Sequence, residues 1–260
     1  MKVSSFNVNS LKARLVNVKE WLKEADPDIV CLQETKCTDD TFPRGEIEDL
    51  GYNLAIHGQK TYNGVAILSK YPIEDATPGL PEGDGDDHAR YLEAVISVNG
   101  SAVRIASIYL PNGNPIGTEK FTYKLSWMER LVRHARNLLK YEEPFVLAGD
   151  YNVIPMPEDV YDPKAWEGDA LYQPESRAKF RELLNLGLTD AFRACHTEPH
   201  RYTFWDYQAG RWQKDQGIRI DHLLLSPQAA DRLKACDIDK DVRDREKPSD
   251  HVPIWAELDF

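Results

Sequence analysis

The sequence predicts an α/β protein in which β-sheets pack face to face and helices cover their outer sides. Three observations support this fold class. Apolar residues at helical spacing alternate along the chain with short apolar runs that are typical of buried strands. Two further runs, at 64–68 and 91–98, indicate hairpin-like strand pairs. Such a mixture fits sheets in packed layers better than one fully parallel sheet.

The first part of the chain alternates strand, helix and strand. Residues 1–7 begin a strand, and the helix that follows has a possible N-cap at Asn9 or Ser10. The apolar side of this helix consists of Leu11, Leu15, Val18 and Leu22. An Asp-Pro-Asp segment at 26–28 ends the helix, because proline cannot continue it. The apolar run 29–32 then predicts a strand that ends in a glutamine and a glutamate.

The second part of the chain repeats this plan. Its predicted strands lie at 103–110, 144–148, 220–225 and 252–258. One predicted helix covers 175–186, and an earlier one has an apolar stripe made of Leu125, Met128, Leu131, Val132, Ala135 and Leu138. The last strand alternates apolar residues at even positions with more polar ones, which is typical of a half-buried strand.

Length and composition indicate one folded unit. A chain of 260 residues suits one large α/β domain or two small ones. We find no low-complexity linker and no short-period repeat, so we expect a single domain over 1–260. The hydrophobic share of 42% and the charged share of 29% are those of an ordinary globular protein, and no apolar run approaches the roughly 20 residues needed to cross a bilayer.

The N-terminal segment and the cysteines predict a cytoplasmic protein that does not associate with membranes. Residues 1–7 lack the apolar stretch and small-residue cleavage site of a secretory signal. The four cysteines form no CxxC pair and have no zinc-type spacing with histidine. We therefore expect reduced thiols at Cys31, Cys37, Cys195 and Cys236.

The charge balance leaves the partner open. A net charge of −11 argues against nucleic acid, because phosphate contacts require lysine and arginine. Net charge is a sum over the whole molecule, however, and a metal-dependent site must itself carry carboxylates. A basic strip on one face is compatible with an acidic total. The absence of GxGxxG and GxxxxGK[ST] loops indicates that no nucleotide cofactor is used.

Four carboxylates lie at the ends of apolar runs or in adjoining turns, namely Glu34, Asp150, Asp221 and Asp250. Rigid scaffolds present functional groups at such strand ends. Any one of these residues could instead cap a helix or begin a turn, and periodicity alone does not show that they converge. If they do converge, hard oxygen ligands in this number suit Mg²⁺ or Mn²⁺.

The Asp250-His251 pair adds a group for proton transfer. A histidine can donate to a phosphate or take a proton from water, because its unperturbed pKa of roughly 6.5 is close to neutrality. A carboxylate on its other ring nitrogen would fix the tautomer and favour the charged form. The alternative is an ordinary Ser-Asp-His turn before the last strand.

Seven motifs resemble those of the exonuclease/endonuclease/phosphatase superfamily and, within it, the exonuclease III family. They are SFNVNSLKAR at 5–14, LQETK at 32–36, GVAILSK at 64–70, YLPNG at 109–113, GDYNV at 149–153, RIDH at 219–222 and SDHVP at 249–253. They occur in the family's order, and the resemblance covers essentially the whole chain. It implies a four-layer αββα sandwich of two mixed sheets flanked by helices, as in deoxyribonuclease I.

The resemblance also implies a Mg²⁺-dependent phosphodiesterase that incises DNA 5′ to abasic sites and removes 3′ nucleotides or 3′ blocking groups. Mn²⁺ is expected to substitute for Mg²⁺, the substrate is double-stranded DNA, and a monomer is expected. The implied metal-site residues are Asn7, Glu34, Asp150, Asn152, Asp250 and His251, with Glu34 as the principal ligand. The implied catalytic residues are Tyr109, Asp150, Asn152, Asp221 and His251. Either Asp150 or the His251–Asp221 pair would act as the base.

On the substrate side, the family binds a flipped-out abasic deoxyribose in a small apolar pocket. The implied DNA-contacting residues are Asn9, Gly64, Arg90, Asn112, Lys120, Phe204, Trp205, Ile218 and Ile220. Ordinary core packing is the alternative for Phe204 and Trp205. Gly64 would allow close approach of the backbone to DNA, or it is simply a turn glycine.

Other functions remain open at the level of sequence. Sphingomyelinases, inositol-polyphosphate phosphatases and deadenylases share the Glu, Asp-x-Asn and Asp-His set, so another phosphoesterase acting on a non-DNA substrate is the main alternative. A catalytically silent DNA-binding scaffold would have lost some of this set, and none of its residues is replaced. The Phe-Asn-x-Asn opening, the Gln-Glu-Thr-Lys block and the aromatic stretch 202–207 favour DNA repair.

Overall fold

Two six-stranded mixed sheets form the centre of the computed structural model, which describes residues 1–83 and 85–260. In the first sheet the strand order is β11-β12-β1-β2-β4-β3. Its strands are β1 (Lys2–Asn7), β2 (Ile29–Gln33), β3 (Asn53–His57), β4 (Val65–Ser69), β11 (Leu233–Ile238) and β12 (Ile254–Leu258). The second sheet has the order β5-β6-β7-β8-β10-β9. Its strands are β5 (Ile73–Pro78), β6 (Tyr91–Val98), β7 (Ser101–Tyr109), β8 (Phe145–Asp150), β9 (Thr189–Asp190) and β10 (Asp221–Leu225).

Each sheet contains one parallel pair, and each pair is joined by a long helix. Helix α1 (Leu11–Ala25) returns the chain from β1 to β2, and α3 (Glu119–Leu139) returns it from β7 to β8. A crossover of this length is what allows neighbouring strands to run parallel. The consequence is that β1, β2, β7 and β8 all deliver their carboxyl ends to one edge of the molecule.

Two antiparallel strands begin at this same edge. Strand β10 pairs with β8 so that Asp221 lies opposite Asp150. Strand β12 pairs with β1, and His251 lies three residues before it. The sheet topology therefore brings six strand ends together.

The sheets pack face to face across a core that includes a few polar links. Gln33 Nε2 donates to Ser107 Oγ at 3.1 Å, and Ser107 Oγ donates to the carbonyl oxygen of Leu32 at 2.9 Å. All three residues are fully buried. Because buried polar groups need partners, these bonds fix how the two sheets are placed against each other.

Helices cover both outer faces. On the first sheet, Trp21 of α1 packs edge-on against Phe6 of β1, with ring centroids 5.5 Å apart. On the second sheet, α3 packs beside α4 (Pro174–Asn185) and buries Trp127 and Phe180. The remaining helices are α2 (Arg44–Glu48), α5 (Ala191–Cys195) and α6 (Pro227–Ala230). The four-layer αββα arrangement predicted from the sequence is confirmed.

The predicted elements agree closely with those of the structure, with one difference near the end of the chain, whereas strands β3, β5, β9 and β11 had not been predicted. The apolar run that starts at Val252 forms a strand only from Ile254, and Pro253 is buried although the alternation placed it outward. Residues 252 and 253 precede the strand, and the carbonyl oxygen of Pro253 accepts a hydrogen bond from Asp239 N–H. The four cysteines are free thiols, as predicted. None of the helices in the described part of the chain has the length and apolar character required to span a bilayer.

Candidate active site

The strand ends place three ionisable side chains close to one another. One ligand-type atom from each of Glu34, Asp150 and His251 lies within 4.8 Å of the others. Glu34 follows β2 with a φ of 51°, a left-handed conformation that is rare for glutamate. Strained backbone of this kind persists where the surrounding structure imposes it, often at functional sites.

Asn7 links the two carboxylates of this cluster. Its Nδ2 donates to Glu34 Oε1 at 2.8 Å and to Asp150 Oδ2 at 2.9 Å. Its Oδ1 accepts the backbone N–H of Asn9 at 3.0 Å. In this arrangement the amide nitrogen of Asn7, and not its oxygen, faces the carboxylates.

His251 is oriented by Asp221. The Nδ1 of His251 lies 2.8 Å from Asp221 Oδ2, so Nδ1–H donates and Nε2 faces Asp150 Oδ2 at 3.8 Å. The Oγ of Thr203 accepts the backbone N–H of Asp221 at 3.2 Å. Burial alone would lower the pKa of His251, but the negative charges of Asp221 and Asp150 outweigh it and raise the pKa to about 10. The imidazole is therefore charged at neutral pH.

The surroundings of Asp150 favour its neutral form, since its carboxylate is buried near other negative charges. Burial raises its pKa to about 7, Asp221 and Glu34 add to the shift, and His251 opposes it. Asp150 Oδ1 accepts the backbone N–H of Asn152 at 2.9 Å. A carboxyl group with a pKa near neutrality is suited to proton transfer.

Lys36 and Asp250 extend the cluster toward the surface. Lys36 Nζ lies 2.9 Å from Glu34 Oε2 and donates to Asn9 Oδ1 at 2.6 Å. Burial would raise the pKa of Glu34, but Asn7 and Lys36 outweigh it, so the pKa lies below its usual range. Asn9 Nδ2 donates to Asp250 Oδ1 at 3.0 Å, and Asp250 lies outside the group of three.

Two asparagines and a tyrosine line the second-sheet side of the site. Asn152, with a φ of 47°, donates through Nδ2 to the carbonyl oxygen of Leu110 at 2.9 Å. Asn112 Nδ2 donates to Asn152 Oδ1 at 3.3 Å. Burial, together with the charges of Glu34 and Asp150, keeps the pKa of Tyr109 well above its ordinary value, so its hydroxyl remains a donor.

These groups border a cleft of about 300 Å³. Its polar side includes the three clustered residues, and its apolar side consists of Trp166, Leu171, Phe204 and Ile220. The sequence analysis missed five of the lining residues, namely Asn114, Trp166, Asp169, Leu171 and Asp206. Four of them lie in segments without periodicity or a motif, Trp166 at the end of a short 3₁₀ helix, and only Asp206 lay within a stretch that had been singled out.

The predicted DNA-contacting residues are distributed unevenly around the cleft. Phe204 and Ile220 line it, and the Phe204 ring lies edge-on to His251 with centroids 5.0 Å apart. Trp205 and Ile218 are buried behind this wall, so neither side chain lines the cleft. Lys120 is exposed in the first turn of α3, away from the cleft lining.

A second cleft of about 280 Å³ adjoins the first on the far side of Tyr109 and Glu34. Its other lining residues are Lys36, Gln59, Tyr62, Asn63, His88 and Arg90. The Arg90 guanidinium lies 4.8 Å from the centre of the Tyr109 ring. Gly64, with a φ of 88°, packs on Thr35 so tightly that a Cβ would lie 2.2 Å from its Oγ1. At this position the glycine is required by the packing of the protein itself.

Comparison with known proteins gives a consistent result. The profile of the Endonuclease/Exonuclease/phosphatase family matches residues 4–251. The exodeoxyribonuclease III of Haemophilus influenzae is 34% identical over 266 residues, with 99% of this chain and 100% of the relative covered. A solved AP endonuclease from Archaeoglobus fulgidus superposes with a TM-score of 0.93 at 38% identity, with complete coverage of both chains. The 3′ phosphatase NExo from Neisseria was solved with a product DNA hairpin. It superposes with a TM-score of 0.94 at 39% identity, also with complete coverage of both chains.

Proposed function

This chain belongs to the Endonuclease/Exonuclease/phosphatase family, and from that premise we propose that it is a metal-dependent phosphodiesterase that repairs DNA. It would incise DNA 5′ to abasic sites and remove 3′ nucleotides or 3′ blocking groups. The observation that carries the proposal is the convergence of Glu34, Asp150 and the Asp221-bound His251 beside a small cleft with an apolar wall. The similar proteins named above act on abasic sites or on 3′ ends, or were solved with DNA, which supports the same substrate.

The cluster fits a hard divalent cation, which we propose to be Mg²⁺, with Mn²⁺ as a substitute. Glu34 and Asp150 offer oxygen ligands within a few ångströms of each other, and Asp150 has only His251 as a cationic neighbour at ion-pair distance in the described part of the chain. A cation would relieve the excess negative charge that raises the pKa of Asp150. Asn7, Asn152 and Asp250 would complete the site, Asn7 after rotation of its amide. When bound, the ion would polarise the phosphodiester and stabilise the leaving oxygen.

The residues in and around the cluster would activate the water and bind the phosphate. We propose that Asp150 takes the proton of the attacking water and that Asn152 helps to orient that water. His251, held by Asp221 and charged at neutral pH, would donate through Nε2 to the phosphate. A charged imidazole has no free lone pair, which favours Asp150 over His251 as the base. Tyr109 would donate its hydroxyl hydrogen to the same phosphate.

The apolar side of the cleft accounts for the proposed substrate. Phe204 and Ile220 would contact a flipped-out deoxyribose that lacks a base. Trp205 and Ile218 would support this wall from behind. We propose that Asn9, Arg90, Asn112 and the more distant Lys120 contact the phosphates or the groove, and that Gly64 lets the backbone approach them.

We propose further that the chain acts as a single catalytic domain over 1–260, as a monomer, in the cytoplasm. The free cysteine thiols support a reducing compartment.

The test compares four substrates in parallel with Mg²⁺: an abasic-site duplex, a duplex with a 3′-phosphate, an inositol phosphate and sphingomyelin. We expect turnover of the two DNA substrates and loss of turnover in the isosteric variant Glu34→Gln, with DNA affinity largely preserved. Manganese should restore wild-type activity after chelation. Preferential turnover of a non-DNA substrate would overturn the assignment, and unchanged turnover of Glu34→Gln at limiting Mg²⁺ would refute the metal role of Glu34.

A further inference from the structure

A fully buried lysine lies behind the polar side of the cleft. Lys124, in α3, has no ion-pair partner among the residues that the structure describes. Its ammonium group donates to two backbone carbonyl oxygens, that of Asn112 at 3.0 Å and that of Asn152 at 2.5 Å. Burying an ammonium group away from water and without a carboxylate partner disfavours its charged form. A lysine nitrogen that is buried here and bonded to two loop carbonyl oxygens is placed to hold those loops.

The two carbonyl groups belong to the two loops that present amide side chains to the cleft. Asn112 lies in the loop that follows β7, and Asn152 lies directly after β8. Their side chains are joined by the bond from Asn112 Nδ2 to Asn152 Oδ1. The backbone N–H of Asn152 also donates to Asp150 Oδ1 at 2.9 Å. The contacts therefore run from Lys124 through Asn152 to the carboxylate of Asp150.

The stem of Lys124 is fitted to the same loop. A Cβ on Gly113, whose φ is 88°, would lie 2.5 Å from Lys124 Cδ. The loop therefore rests directly on the lysine methylenes, and only glycine permits this approach. Asn152 occupies the left-handed region as well, so both loops hold conformations that need support from their surroundings.

We propose that Lys124 is a positioning residue for the hydrolytic step, because it fixes the backbone of Asn112 and Asn152 and thereby the amide groups that face the cleft. The inference rests on the proposed function. Lys124 does not line the cleft. Its contribution passes through Asn152.

The test uses Lys124→Met, which keeps the length of the side chain and removes its donors. The matched control is Lys140→Met at the exposed C-terminal end of the same helix. Single-turnover cleavage of the abasic-site duplex is measured at saturating DNA, with DNA affinity and urea unfolding measured alongside. We expect Lys124→Met to slow the single-turnover rate about 10- to 100-fold, since small misplacements of catalytic groups have effects of this size. DNA affinity should change less than about two-fold, and Lys140→Met should match wild type.

A double-mutant cycle separates positioning from general support. In an Asn152→Ala background, Lys124→Met should cause little further loss of rate, because residues in one network are not additive. Additive losses, or a folded Lys124→Met with the wild-type rate, would overturn the inference. If Lys124→Met does not fold, Lys124→Gln decides by the same criterion, because its side chain is one bond shorter and lacks the ammonium group. A wild-type protein that cuts neither DNA substrate would instead refute the proposed function itself.

Discussion

Nδ1 of His251 lies 2.8 Å from Oδ2 of Asp221, and both residues are almost completely buried. The pair crosses the interface between the two sheets, since His251 precedes β12 and Asp221 begins β10. This contact fixes which imidazole nitrogen faces the cleft, and the first two predictions depend on it and on the cleft that it borders.

The first prediction concerns the pair itself. Asp221→Asn and His251→Asn should each slow the single-turnover cleavage of abasic-site DNA by at least about 10²-fold, a typical contribution of a positioned acid–base group. Asp221→Asn acts by removing the charge that holds the imidazole in its protonated form. The double variant should lose little more than His251→Asn alone. Rates within a few-fold of wild type for either single variant would contradict the assigned role.

The second prediction concerns the apolar wall. Trp166 is partly exposed and lines the same cleft as Glu34, Asp150 and His251. Trp166→Ala should widen the cleft and weaken the contact with a flipped-out sugar, because burial of a large apolar side chain contributes about 1.5–3 kcal/mol. We expect kcat/KM for the abasic site to fall at least about 10-fold relative to that for a 3′-phosphate, from a comparison of both substrates. Trp212→Ala is not a suitable control, since Trp212 packs on Trp205. Trp255→Phe, away from the cleft in β12, serves instead.

The third prediction concerns stability at mildly acidic pH. His222 is buried, accepts a hydrogen bond from Arg219 through Nδ1 at 2.9 Å and donates through Nε2 to the Val153 carbonyl oxygen at 3.0 Å. Burial, followed by the charge of Arg219, lowers its pKa to about 4. Between pH 6.5 and pH 4 the unfolded chain therefore binds a proton that the folded protein does not. Stability should fall by roughly 1.4 kcal/mol per pH unit over this window as pH decreases, beyond the contribution of other groups.

Urea unfolding at several pH values between 7 and 4 measures this slope. His222→Gln removes the titrating group and keeps an acceptor and a donor, so its unfolding free energy should depend less steeply on pH. Equal slopes for wild type and His222→Gln would show that the histidine titrates normally in the folded protein.

The sequence predicted the elements well because their periodicity is local. The helix over Leu11–Ala25 and the strand ending at Asp150 follow from apolar spacing and from the residues that terminate it. The order of strands in the sheets, by contrast, was accessible only through the family resemblance. Periodicity shows which face of a helix or strand is apolar, but it does not show which strand lies beside that element in a sheet.

The sequence singled out residues that the structure brings together, but not their geometry. Motifs marked Glu34, Asp150 and His251, whereas the three-way proximity depends on two sheets docking in one position. Trp166 and Lys124 left no signal, since one ends a short 3₁₀ helix without apolar periodicity and the other looks like a helix surface residue at its position in the sequence. Whether a lysine is buried is decided by the loops that fold over it, and no local pattern encodes that.

The division of the cluster between the two halves of the sandwich has a consequence for how the protein acquires its activity. Glu34 is supplied by the first sheet early in the chain, Asp150 by the second sheet, and His251 by the segment that returns to the first. A growing chain that has reached residue 225 already holds both carboxylates and Asp221, yet it lacks the imidazole and the closing strand. The three side chains can therefore come together only after synthesis has passed residue 251 and the two sheets have docked.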